Sequence, residues 1–107
     1  MKIIKRSGME VDFDVTKIAA AVRKANGSVA DYEKISEDEI IKLSETIENA
    51  CSNMQHTPTV EDIQDMVENQ LMSMKKFTLA RNYITYRYRR ELVRKSNTTD
   101  DQILSLI

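Results

Sequence analysis

The chain is poor in the residues that bend or cross-link a backbone. Its 107 residues include two glycines, one proline and one cysteine. Few tight turns or left-handed positions are therefore available, which favours helices over a meander of short strands. Because Cys51 has no second cysteine, an internal disulfide and a multi-cysteine zinc site are excluded. This composition predicts a mostly helical domain in a reducing, cytoplasmic setting.

Long apolar runs are also missing. No stretch approaches the ~18 apolar residues of a membrane span, and Met1 leads directly into a charged segment instead of a signal peptide. We therefore expect no membrane partner.

The net charge of -1 conceals an uneven distribution. Residues 1–30 carry six basic and three acidic side chains, residues 31–74 carry two and eleven, and residues 75–95 carry eight and one. Solvated helix faces of opposite sign explain such a pattern without any function. The alternative is that the two cationic segments meet around an anionic ligand.

The hydrophobic pattern predicts a β-hairpin followed by four helices. Strands are expected at 2–6 and 10–13, with Ser7-Gly8 as the turn between them. Helical periodicity begins after each of three capping residues, namely Asp14, Ser36 and Thr59, and a fourth helix is predicted to start at Thr78. The break at Pro58 leaves room for a short third strand. The expected class is mostly α (α+β), with a four-helix bundle capped by a small sheet.

Catalytic chemistry has little support in the sequence. Cys51 falls on the apolar stripe of the second helix, where a structural thiol is expected. The only histidine, His56, lies in the break after that helix, and no phosphate-binding glycine loop is present. We therefore predict no catalytic and no metal-ligating residues.

The run "ARNYITYRYRRELVRK" holds six basic residues and three tyrosines in sixteen positions. Arginine neutralises phosphates and tyrosine stacks on bases, so single-stranded nucleic acid is one reading. The pI of about 5.8 and the acidic middle segment oppose a long polyanion. A nucleoside triphosphate is easier to accommodate, and a helical module that binds an acidic protein surface is the third hypothesis.

Three segments resemble one family, the ATP-cone domain. They are "IIKRSGMEVDFDVTKIAAAVRKA", "TVEDIQDMVENQLM" and "ARNYITYRYRR", which lie in the family's order and spacing over roughly residues 2–95. The resemblance implies an allosteric module in which ATP and dATP compete, found at the N-terminus of ribonucleotide reductases and in the repressor of their genes. It also implies control of activity through oligomeric state.

The resemblance implies a nucleotide site as well. The residues of this site are expected to contact the phosphates, the base or the sugar of ATP or dATP, with Mg²⁺ as counter-ion. They are Ile3, Lys5, Arg6, Val11, Lys17, Thr59, Arg87 and Arg89. Lys5, Arg6 and Lys17 match phosphate-binding positions. The chain departs from the family in having Ser7 where aspartate is frequent and Asp12 where proline is frequent, so Asp12 adds a negative charge beside the site.

The resemblance also suggests how the chain is organised and what its host is. Residues 1–95 are expected to form the ATP cone, and residues 96–107 a linker toward a catalytic domain of the same chain. The tail "NTTDDQILSLI" resembles the linker of an anaerobic (class III) ribonucleoside-triphosphate reductase. A repressor is disfavoured because its four-cysteine zinc ribbon is missing. The expected partners are a nucleoside triphosphate, the catalytic domain and further copies in a homo-oligomer, with nucleic acid not expected.

Overall fold

A computed structural model describes the backbone of residues 1–5 and 7–106, and the side chains of residues 1–5 and 7–92. Within these residues a hairpin precedes four α-helices, as predicted. The elements are β1 (Lys2–Ile4), β2 (Glu10–Asp12), α1 (Val15–Asn26), α2 (Glu37–Ser52), α3 (Val60–Ser73) and α4 (Phe77–Leu106). A short 3₁₀ turn, Asp31–Glu33, joins α1 to α2. The mostly helical class is confirmed.

The two strands are antiparallel and shorter than predicted. Ile3 pairs with Val11 in their register. The ladder gives way to a turn in which the Gly8 N–H donates to the Lys5 carbonyl at 2.8 Å. Gly8 has a φ of 85°, a left-handed conformation that favours glycine. The turn thus shortens both strands.

The predicted third strand is reduced to a single parallel bridge between Ile4 and Thr59. The Ile4 N–H donates to the Pro58 carbonyl at 2.9 Å. This contact ties the hairpin to the segment that begins α3, and so the hairpin lies against the bundle at that end.

The first three helices begin at the predicted capping residues. The Asp14 carboxylate caps α1, while Ser36 with Glu39 and Thr59 with Asp62 form complete capping boxes. Each box satisfies two backbone N–H groups that a helix start leaves without partners. Hydrogen bonds from backbone N–H groups hold the pKa of Glu39 and of Asp62 below the ordinary values.

The core lies inside a ring of helices in which α1 and α3 each pack against both α2 and α4. Its largest fully buried side chains come from all four helices: Val22, Ile40, Val67, Leu71 and Leu79. Tyr83 is the last buried residue of α4 among the side chains described, and burial raises its pKa to about 12.

Helix α4 has 30 residues, a length of about 45 Å at 1.5 Å per residue. Its backbone stays helical through residues 96–106, so the segment predicted as a linker begins inside this helix. Among the described residues, no helix combines the length and the apolar character that a bilayer crossing requires.

Candidate functional site

One flank of α4 faces α1. Asn82 Nδ2 donates to Ser28 Oγ at 3.1 Å, and Lys24 Nζ lies 5.6 Å from the centre of the Tyr86 ring. Residue numbers rise along α4 as they fall along α1, so the two helices are antiparallel. The start of α1 therefore lies beside the part of α4 that follows Tyr86.

The other flank of α4 faces α3. Arg87 donates to Asp65 Oδ1 at 3.0 Å and to Glu68 Oε1 at 2.6 Å. Helices α3 and α4 are consecutive and joined by a short connection, so they too are antiparallel. The starts of α1 and α3 are consequently at the same end of the bundle.

The hairpin completes this end. The Ile4–Thr59 bridge attaches it to the start of α3, and β2 leads through Phe13 directly into the Asp14 cap of α1. Two helix N-termini, each with a partial positive charge from its backbone dipoles, therefore lie beside the hairpin. An anionic ligand is favoured at such a place when cationic side chains accompany it.

Three of the predicted site residues are backbone neighbours here. Ile3 lies opposite Val11 in the ladder, and Thr59 bridges to the next residue of β1. All three are half-buried, and Ile3 also packs against the core. The backbones of the three residues are therefore close together, but only Ile3 and Val11 share a face of the hairpin, where they form a partly apolar patch, because Thr59 pairs with Ile4 on the other face.

The predicted cations are placed differently from one another. Lys5 is exposed at the start of the hairpin turn, and Lys17 is exposed in the first turn of α1. Arg6 lies outside the described residues. Lys5 and Lys17 thus share the bundle end at which the apolar patch lies.

The two arginines predicted on α4 point to opposite flanks. The Arg87 side chain is 19% exposed and is held by its two carboxylates on α3. Arg89 is exposed and lines the groove between α1 and α4. Of the two, Arg89 is the one whose guanidinium is accessible to a ligand in this structure.

The groove between α1 and α4 has a volume of about 310 Å³. The residues that line it are Lys24, Ala25, Ser28, Asn82, Thr85, Tyr86 and Arg89. The prediction included Arg89 but missed Lys24 and Tyr86. Lys24 follows Lys17 at a spacing of two helical turns, which places both lysines on one face of α1 and is the signal that could have identified it.

Asp12, which departs from the family pattern, does not add charge to the apolar patch. Its carboxylate forms an exposed ion pair with Lys2 at 2.7 Å. The hydrogen bond from Lys2 lowers the pKa of Asp12. Because neighbouring strand residues alternate between faces, Asp12 and Val11 lie on opposite faces of β2.

Cys51 and His56, the other side chains that could take part in a reaction, line a different cavity from the groove between α1 and α4. Cys51 is buried, and burial raises the pKa of its thiol. It lines an open cavity of about 410 Å³ together with His56, whose Nε2 lies 3.6 Å from Asp62 Oδ2. No group of three or more His, Cys, Asp or Glu residues suited to a metal ion occurs within the described part of the chain.

Comparison with known families decides the assignment. The family model described as the ATP cone domain matches residues 1–92. The chain belongs to the ATP cone domain family. The resemblance carried by the hairpin, third-helix and closing-helix segments is thereby confirmed.

Relatives of this ATP cone domain occur in several reductases. The chain is 36% identical to the ribonucleoside-diphosphate reductase subunit alpha of Chlamydia muridarum, over 97% of this chain and 11% of that protein. It is 34% identical to the vitamin B12-dependent ribonucleoside-diphosphate reductase of Thermoplasma acidophilum, over 88% and 12%. It is 30% identical to the anaerobic ribonucleoside-triphosphate reductase of Haemophilus influenzae, over 90% and 13%. The ATP cone domain thus spans only a small fraction of the length of these relatives.

Proposed function

We propose that this ATP cone domain binds ATP and dATP and acts as an allosteric regulatory module of a ribonucleotide reductase. One observation carries the proposal. The hairpin, the start of α1 and the start of α3 meet at one end of the bundle, where Lys5 and Lys17 lie exposed beside a half-buried apolar patch. A triphosphate and a nucleobase need this combination of cations and apolar surface.

In the proposed complex, the triphosphate lies against Lys5, Arg6 and Lys17, with Mg²⁺ sharing its charge. Helix N-termini favour the same negative charge through their backbone dipoles. Arg89 supplies a further cation from α4. The base and sugar lie against the apolar patch of Ile3 and Val11, and Thr59 contacts the base from the start of α3. Arg87, also predicted in this set, must first leave Asp65 and Glu68 if it is to reach a phosphate.

The regulatory part of the proposal concerns a longer protein. Residues 1–95 form the sensing domain and residues 96–107 lead toward a catalytic domain in the same cytoplasmic chain, while the 107 residues themselves catalyse nothing. Nucleotide binding alters activity through the oligomeric state only if ATP and dATP stabilise different assemblies unequally.

The proposed host is the anaerobic reductase class. Support for this class comes from the tail "NTTDDQILSLI" and from the anaerobic relative in Haemophilus influenzae. The named relatives belong to three kinds of reductase. Reading the encoding gene beyond Ile107 tests the class, since a glycyl-radical segment is expected there and its replacement by another reductase type contradicts the proposal.

Calorimetric titration of the 107-residue chain with ATP and dATP in the presence of Mg²⁺ tests the binding site. We expect Lys5→Ala and Lys17→Ala each to weaken binding about tenfold, the effect of losing one charge-assisted hydrogen bond. Lys42→Ala is the matched control, because Lys42 is an exposed lysine on α2. Absence of binding to folded protein at millimolar nucleotide contradicts the proposal, as does an equal effect of all three variants.

The same samples test the nucleic-acid alternative. A single-stranded oligonucleotide that competes with ATP, and whose affinity falls steeply as salt rises, would favour that reading. We expect no such competition, because the acidic segment 31–74 repels a long polyanion.

A further inference from the structure

The pairing of the hairpin extends one residue pair beyond the two strands. Ile3 pairs with Val11, and the Lys5 N–H donates to the Met9 carbonyl at 2.9 Å. Lys5 and Met9 are each two residues from the Ile3–Val11 pair, and side chains two residues apart lie on the same face of a strand. These four residues therefore share one face, which we call the inner face of the hairpin.

The inner face is turned toward the helix bundle. Ile3 packs against the hydrophobic core, and so does Phe13, whose N–H donates to the Met1 carbonyl at 2.8 Å and continues the same alternation. The opposite face carries the exposed ion pair of Lys2 and Asp12. The outermost pair of the inner face therefore extends from the hairpin on the side where α1 and α3 begin.

Met9 is the exposed apolar residue of that outermost pair. Its side chain is 62% exposed, whereas Ile3 and Val11 are half-buried. It belongs neither to the core nor to the side chains packed against the core. A single exposed apolar residue is ordinary by itself. Met9 differs because it lies directly opposite Lys5 and next to the apolar patch on the same face.

The shape of the methionine side chain suits a ligand that lies on this face. Val11 is short and branched, whereas Met9 is unbranched and longer, so its sulfur and terminal methyl group reach beyond the patch. A thioether is flexible enough to fill an irregular gap and makes favourable contacts with aromatic rings. A ring that rests on the patch is therefore within reach of Met9.

We propose that Met9 is a further binding residue of the nucleotide site, whose thioether covers the nucleoside part of ATP or dATP while Lys5 beside it holds the phosphates. The inference rests on the proposed function and adds a specific apolar contact to it. A nucleotide along the inner face meets the patch of Ile3 and Val11 first and the Lys5–Met9 pair next. Apolar surface thus gives way to positive charge in the order in which a nucleotide presents its base and its phosphates.

The first test compares ATP with inorganic tripolyphosphate, which lacks the nucleoside, by calorimetry in the presence of Mg²⁺. We expect Met9→Ala to weaken ATP binding about fivefold and to leave tripolyphosphate binding unchanged, because only the nucleoside contacts the thioether. Met9→Leu keeps an apolar side chain and is expected to stay within about twofold of the wild type. Lys5→Ala is expected to weaken both ligands. Met72→Ala, at a 42% exposed methionine on α3, is the matched control.

The second test observes the methyl group of Met9 directly. In protein labelled with carbon-13 at its methionine methyl groups, the Met9 resonance is identified by its absence from Met9→Leu. We expect it to shift when ATP binds, because the ring current of adenine acts on protons close to the ring. Tripolyphosphate has no ring and should leave the resonance in place. The Met72 resonance, far from the hairpin on α3, serves as the reference.

Each outcome separates this inference from the proposed function. A wild-type chain that is folded and does not bind ATP overturns both. If ATP binds and Lys5→Ala weakens it, the proposed function stands, and this inference is overturned by a Met9→Ala variant with wild-type affinity or by a Met9 resonance that ATP leaves unmoved. Equal weakening of ATP and tripolyphosphate by Met9→Ala also overturns it, since the contact would then not involve the nucleoside. Thermal melting establishes that each variant is folded.

Discussion

The two flanks of α4 present the same residue type in opposite circumstances. Toward α3, Arg87 is largely enclosed and bonded to Asp65 and Glu68. Toward α1, Arg89 is exposed beside a groove that also holds Lys24. Two arginines almost adjacent in sequence therefore differ in what they can do: one joins two helices and the other is accessible to a ligand.

The difference arises in the helices that α4 faces. Asp65 and Glu68 are one helical turn apart, so both carboxylates lie on the same face of α3 and reach one guanidinium. The facing stripe of α1 carries Lys17 and Lys24 instead. A basic run along one helix thus meets an excess of carboxylates on one flank and stays cationic on the other.

The largest expected effect comes from removing the enclosed arginine. Arg87→Ala leaves the half-buried Glu68 and its neighbour Asp65 without a cation, and we expect a loss of about 2 kcal/mol in the free energy of unfolding. Urea denaturation measures this loss. The matched control is Arg89→Ala, for which a change within about 0.5 kcal/mol is expected at an exposed position. Equal losses for both variants would remove the distinction between the flanks.

The second effect concerns ligand binding. Arg89→Ala is expected to weaken ATP binding about tenfold, or about 1.4 kcal/mol, through loss of a charge-assisted contact with phosphate. Calorimetry with ATP and Mg²⁺ measures it. Arg90→Ala is a neighbouring control on the same helix. If Arg89→Ala binds ATP like the wild type, the open flank takes no part in the nucleotide site.

A smaller effect is expected at the contact between Lys24 and Tyr86. The ammonium over the ring contributes about 0.5 kcal/mol at an exposed site, which Lys24→Ala removes and Lys24→Arg retains. Thermal unfolding of the two variants measures the contribution. Equal melting temperatures would show that α1 is held to α4 by its buried residues alone.

The smallest expected effect is a pH dependence of stability, which compares the start of α1 with the start of α3. Asp14, at the start of α1, and Asp62, in the cap of α3, both have a pKa below the ordinary aspartate value, because each accepts hydrogen bonds from its helix start. A carboxylate whose pKa is lower in the folded chain than in the unfolded chain stabilises the fold. This stabilisation is complete above the unfolded pKa of about 3.9 and is lost as the pH falls through the folded pKa. Stability measured by urea should therefore decline on acidification below about pH 4.

Asp62→Asn tests the α3 part of this pH dependence. The amide cannot ionise, so the decline on acidification should become shallower while the helix start persists. His56 contacts Asp62, and His56→Gln is the control that separates the histidine's contribution from the cap. An unchanged acid profile in Asp62→Asn would contradict the role of the carboxylate.

Much of the fold was predictable because its signals are local. The Ser36–Glu39 and Thr59–Asp62 capping boxes depend on residues three apart, and the Gly8 turn depends on one backbone conformation. The third strand was less predictable. Its single bridge to Ile4 depends on how a distant hairpin meets the start of α3.

The sequence predicted which types of residue form the site, but not which neighbouring helix each side chain faces. The family resemblance identified Lys5, Lys17 and Thr59, and the structure brings their elements to one end of the bundle. The same reasoning treated Arg87 and Arg89 alike, because helical periodicity gives the angle between two side chains but not the charge of the helix that each one faces.

The sequence by itself determined where the helices start, which stripes are apolar and which family the chain resembles, since these follow from spacings within a few turns. The tertiary structure alone decided that α1 and α3 flank α4 on opposite sides. That arrangement is a property of long-range packing, in which helices far apart in sequence bury a common core. It gives one arginine two carboxylate partners and leaves the other beside a groove.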